Sequence, residues 1–152
     1  MKRITQFLLL AALLTTIHPA HAIVIQTGEW FATDTITGKT QNYCYKPKTT
    51  AILGNARKGR VVTKKGCVIN TIESNETTFK STFFCLKAEE RIDLELDLTK
   101  IGKNELTMKM RLAYEKDGKK TVVNRNYVQK FIKKTCSSNT KPAPDGRPNI
   151  FN

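Results

Sequence analysis

Residues 92–114 constrain the fold more tightly than any other part of the chain. Ile92, Leu94, Leu96 and Leu98 alternate with Asp93, Glu95 and Asp97. After Gly102-Lys103-Asn104 the alternation resumes with Leu106, Met108, Met110, Leu112 and Tyr114. A period of two places one set of side chains on each face of a strand, so this pattern predicts half-buried antiparallel strands. Asp117-Gly118 is a hairpin signal. Residues 121–134 follow as a closing strand, with Val123, Tyr127 and Phe131 on one face. Three consecutive strands therefore run up and down as a meander.

The segment 67–85 adds a second hairpin. It reads CVINTIESNETTFKSTFFC, two runs rich in Val, Ile, Thr and Phe around a polar centre. Centred on Glu76, it sets Cys67 opposite Cys85, Ile69 opposite Phe83 and Thr71 opposite Ser81, all on one face. That register predicts a Cys67–Cys85 cross-strand disulfide. By elimination Cys44 pairs with Cys136, tying the first hairpin to the last strand. Four cysteines without a C-x-x-C spacing argue for such staples rather than a redox or zinc motif.

Upstream, residues 28–35 and 40–45 read as two strands around an Ile36-Thr37-Gly38-Lys39 turn, with Trp30 as apolar anchor. Pro47 ends the second, residues 48–56 could form a short helical turn, and residues 57–65 read as a loop or a weak edge strand around Val61-Val62. The expected fold is all-β with a minor helix: an antiparallel meander curled into an open or closed barrel and stapled by disulfides. A two-layer sandwich is the alternative.

The ends differ in kind. Met1-Lys2-Arg3, the apolar run 7–14 and Pro19-Ala20-His21-Ala22 read as a secretory signal peptide cleaved after Ala22. No cysteine follows Ala22, so a lipoprotein anchor at that site is excluded. The apolar run falls short of the roughly 20 residues a membrane-spanning helix needs. The expected organisation is therefore a leader over 1–22, one β domain over 23–136, and a tail over 137–152 with three prolines and no structure of its own. Export implies the periplasm, an oxidising compartment in which cysteines pair.

Leader removal also restricts the chemistry. Both histidines, His18 and His21, lie in it. The processed chain then lacks the usual general base and commonest metal ligand, which excludes Ser-His and Cys-His machinery. The formal net charge of +13 falls only to +11 when Lys2 and Arg3 are lost. Such a chain is drawn to anionic envelope components.

Three groups of residues are candidate sites. Arg57, Lys58, Arg60, Lys64 and Lys65 form the densest basic run, suited to an anion. No aromatic residue interleaves it, so nucleic acid is not the expected partner. Trp30, Phe83, Met108, Met110 and Tyr127 could line a cavity for a small apolar ligand; a filled core is the competing reading. Asp93, Glu95 and Asp97 share a face but read as the solvated side of a strand. No catalytic residue, metal or cofactor is expected. The partner is an anionic envelope component, a small apolar ligand or an envelope protein. The functions open are a non-catalytic binding or envelope-accessory module and a structural adaptor in an envelope assembly.

Gly28-Glu29-Trp30, Cys44-Tyr45-Lys46-Pro47, the cysteine-bounded hairpin 67–85 and the basic strand ending in Cys136 occur in that order. Together they resemble the periplasmic family known as domain of unknown function 3617. The resemblance implies an antiparallel β-fold and periplasmic residence, and no activity.

Overall fold

The computed structural model describes residues 22–64, 66–87 and 90–143. The expected leader, except Ala22, lies outside the described residues, as do Lys65 and the tail from residue 144. The elements are β1 (Gly28–Asp34), β2 (Thr40–Tyr45), α1 (Pro47–Gly54), β3 (Val61–Lys64) and β4 (Cys67–Ser74). They continue with β5 (Thr78–Lys87), β6 (Glu90–Lys100), β7 (Glu105–Lys116), β8 (Lys119–Lys133) and β9 (Lys141–Pro142).

All nine strands belong to one sheet, ordered β3-β4-β5-β6-β7-β8-β1-β2-β9. The alternation read from sequence sets the register: Leu98 faces Met108, Leu96 faces Met110 and Leu94 faces Leu112. β4 and β5 pair with Cys67 opposite Cys85, Ile69 opposite Phe83 and Thr71 opposite Ser81. A bulge between Thr71 and Glu73 then shifts the register by one residue. Both expected disulfides are formed, Cys67–Cys85 and Cys44–Cys136.

The sheet is open. Of the two forms expected from sequence, the closed barrel is not found, because β3 and β9 at the two edges do not pair. A helix, α1, rather than a hairpin joins β2 to β3. Proline at its start has no N–H to leave unpaired. Leu53 of α1 and Ile23 of the N-terminal segment are fully buried. They share one core with Trp30, Phe79, Leu98, Leu106 and Met108. The concave face of the curled sheet is thus filled by the chain's own side chains.

The expectation of an unstructured tail from residue 137 is corrected over 137–143. Cys136 anchors the segment to Cys44. Ser137 donates its backbone N–H and its hydroxyl to Glu29. β9 then pairs in parallel with Tyr43 and Cys44, and the Ala143 N–H donates to the Cys44 carbonyl. Composition suggested freedom, but a covalent anchor and these bonds offset the ordering entropy of seven residues.

Candidate functional site

The five expected cavity residues are core. Trp30, Phe83, Met108 and Tyr127 are at most 8 % exposed, and Met110 is half-buried. Trp30 meets Tyr45 and Phe131 edge-on at 5.7 and 5.4 Å, and Tyr127 meets Tyr43 at 6.0 Å. Such edge-on packing is a preferred aromatic geometry. Trp30, Met108 and Tyr127 belong to the main core and Phe83 to a smaller one, with Met110 packed against both. Buried Gln129 accepts a hydrogen bond from the Tyr45 hydroxyl and donates to the Met108 sulfur. Gln41 donates to the Tyr43 and Tyr127 hydroxyls. Burial pushes the Tyr43 and Tyr45 hydroxyls well above their usual range, so both stay neutral. Every buried side-chain polar atom among the described residues has a partner.

Two concavities, of about 510 and 410 Å³, lie on the outer face of β5–β8 and share Thr82, Glu95 and Arg111. Met110 borders the first and Phe83 the second, and five of the twelve and five of the ten lining residues are charged. Asp93, Glu95 and Asp97 stand here, as the alternation predicts, and each has a cation. Arg91 lies 2.9 Å from Asp93, Arg111 lies 3.1 Å from Glu95, and Lys80 lies 3.9 Å from Asp97. This wall is a lattice of exposed pairs, two across strands and one, Arg91–Asp93, within β6, each of small energetic value.

The largest group of unpaired cations lies at the end of the sheet where β1 begins and β8 finishes. Hydrogen bonds knit the connections at this end together. The Lys100 N–H donates to the Thr77 carbonyl and the Phe131 N–H to the Asn104 carbonyl. Gln26 donates its side-chain amide to the Lys103 carbonyl and to Asn104 Oδ1. Ser74 donates to the Ala56 carbonyl, which brings the segment after α1 to the same end.

This end exposes Lys46 and Lys48 at the start of α1, Arg57 and Lys58 after it, Lys103 in the β6–β7 turn, and Lys134 after β8. None of the six has an ion-pair partner among the described residues. The Arg57 guanidinium is held by the Gly54 and Ala56 carbonyls, bonds that leave its charge uncompensated. The carboxylates at this end among the described residues are Glu76, half-buried Glu73, which is paired with Lys80 at 3.2 Å, half-buried Glu105 and buried Glu29.

Glu29 is already engaged. It accepts from Ser137 and Asn42, with Lys133 at 3.6 Å. The Ser137 hydroxyl and then its N–H hold the carboxyl below its ordinary value, Asn42 and Lys133 add to this, and burial opposes it. A carboxylate lowered in the folded state stabilises fully above the ordinary carboxylate range. That stability is lost as pH falls through the lowered value. Melting curves across pH should therefore show the deficit of Glu29→Gln largest near neutrality and shrinking as pH falls below the ordinary carboxylate range. Parallel curves would mean that Glu29 carries no such linkage.

The basic run picked out in sequence is divided by the fold. Arg57 and Lys58 lie at the basic end. Arg60 is drawn to β4, where its carbonyl accepts from the Thr71 N–H. β3 carries Lys64 away to a position opposite Cys67, and Lys65 lies outside the described residues. Sequence reading missed Lys46, Lys48, Lys103 and Lys134, which are scattered singly or in pairs. The available signal was that alternate connections of a meander fall at the same end.

No protein-family model and no solved structure matches this chain. It is similar to the uncharacterized protein YtgA of Salmonella typhimurium strain LT2, 27% identical over 158 residues, covering 93% of this chain and 98% of that protein. The uncharacterized protein YtgA of Salmonella typhi matches with the same identity and coverage. No helix among the described residues is long and apolar enough to cross a membrane.

Proposed function

We propose that this chain is a periplasmic, non-catalytic binding module whose working surface is the basic end, and whose partner is an anionic envelope component. The observation that carries the reading is charge segregation. On the outer wall Lys80, Arg91 and Arg111 are paired with carboxylates and only Lys109 and Lys120 among the lining cations are not, whereas the basic end presents six cations, Lys46, Lys48, Arg57, Lys58, Lys103 and Lys134, without ion-pair partners among the described residues. Like charges held together raise the local potential and attract anions, at a cost in mutual repulsion that an anionic partner relieves. The filled interior favours this surface over an apolar cavity. Two disulfides suit an oxidising compartment and support export. The family resemblance is retained as part of this reading, because it too implies periplasmic residence without an activity.

The test is binding to soluble polyphosphate at several salt concentrations. Affinity should fall steeply as salt rises. The pair Lys103→Glu with Lys134→Glu should weaken binding at least about tenfold in low salt. Lys119→Glu with Lys120→Glu makes the same change of net charge at the far end and should cost much less. Equal losses from the two pairs would show that net charge alone matters and would overturn the reading.

A further inference from the structure

The basic end carries a second feature that anion binding alone does not need. The two most exposed large aliphatic side chains among the described residues are Val24 at 67% and Ile101 at 62%, and both are at this end. Neither is an accident of a loose segment. Val24 stands between Ile23 and Ile25, which are 0% and 4% exposed, so its neighbours are anchored in the core while it points out. The segment is tied further where the Trp30 indole donates to the Gln26 carbonyl. Ile101 occupies the β6–β7 turn, where the Ile101 and Gly102 N–H groups both donate to the Glu105 carbonyl. Turns favour Gly, Pro, Asn, Asp and Ser, so an isoleucine there is not explained by turn chemistry. The Gln26 bonds to Lys103 and Asn104 join the two segments, so both aliphatic side chains belong to one bound unit.

Resting on the reading of the basic end as the working surface, we propose that this end docks on an anionic phospholipid bilayer. The lysines and Arg57 meet the phosphates, and Val24 and Ile101 insert as two aliphatic tips among the headgroups. A bilayer is the partner that offers both chemistries over one plane: dense anionic charge outside and hydrocarbon beneath. Each cation near such a surface strengthens attachment by about fivefold, and shallow insertion of an apolar side chain adds to it. Neither part gives stable attachment alone, so the combination makes docking reversible and dependent on anionic lipid.

The experiment uses the processed chain purified from periplasm and co-sedimented with vesicles. Vesicles containing phosphatidylglycerol should bind it, and vesicles of phosphatidylcholine alone should not. Val24→Asn with Ile101→Asn should lower the partition onto anionic vesicles about tenfold while leaving polyphosphate binding and the melting temperature unchanged. Lys103→Glu with Lys134→Glu should weaken both kinds of binding. Polyphosphate binding without vesicle binding would overturn the membrane proposal and leave the basic end as an anion site. Loss of neither partition nor polyphosphate affinity in the asparagine pair would overturn insertion. Failure to bind either probe would remove both readings, and equal binding to phosphatidylcholine would overturn the role of charge.

Discussion

Gly28→Ala is expected to destabilise the folded chain by about 3 kcal/mol, a large effect for a single added methyl group. Gly28 has φ +131°, a conformation that side chains rarely adopt. A Cβ there would stand 2.2 Å from the Lys133 carbonyl oxygen and 2.9 Å from the Lys134 Cα. Both are backbone atoms, so no flexible side chain can move aside. This position starts β1 beside the end of β8, where the register shifts between Glu29 and Trp30. Separation of the two strands there would also expose Trp30, which is 2% accessible. Gly38→Ala is the control. Gly38 has φ +70° but no atom within 4 Å of a built Cβ, so its cost should be near the left-handed strain alone, about 1 kcal/mol. Urea unfolding of the two variants measures the difference. Equal costs would mean that the close approach of β1 and β8 is not as described.

Replacing Cys44 and Cys136 together by alanine should cost about 2–5 kcal/mol. The bridge joins residues 92 apart, a long loop whose closure restricts the unfolded chain strongly. Its loss also acts locally. Ser137 would no longer be held over Glu29, and β9 would lose the anchor that sets it against β2. Limited proteolysis of the folded variant should then cut within 137–143, where the parent chain is expected to resist. Unchanged protection would show that hydrogen bonds alone hold the segment.

Local pattern carried the fold a long way. The alternation of 92–114 and the spacing of Cys67 and Cys85 determine who pairs with whom, because hairpin partners are close in sequence. The pairing of β1 with β8 joins Trp30 to Phe131, and no local signal announces it. The ordering of 137–143 was hidden for the same reason, since Ser137 bonds to a residue 108 positions away. Distance also obscured the candidate site. A basic run such as 57–65 is conspicuous in sequence, yet the fold divides it. The lysines that gather at one end come from α1, the β6–β7 turn and the segment after β8. Val24 and Ile101 looked unremarkable singly, because isolated exposed aliphatic residues are ordinary. Their common placement gives them meaning.

The decisive measurement is a titration of the isotope-labelled processed chain with short soluble polyphosphate, followed by amide chemical shifts. Shifts should concentrate at Lys46, Lys48, Arg57, Lys58, Gly102, Lys103 and Lys134, leave the β7–β8 turn nearly still, and fade as salt is added. Shifts centred on the wall of Lys80, Glu95 and Arg111, or spread evenly over the surface, would contradict a binding end built by the fold.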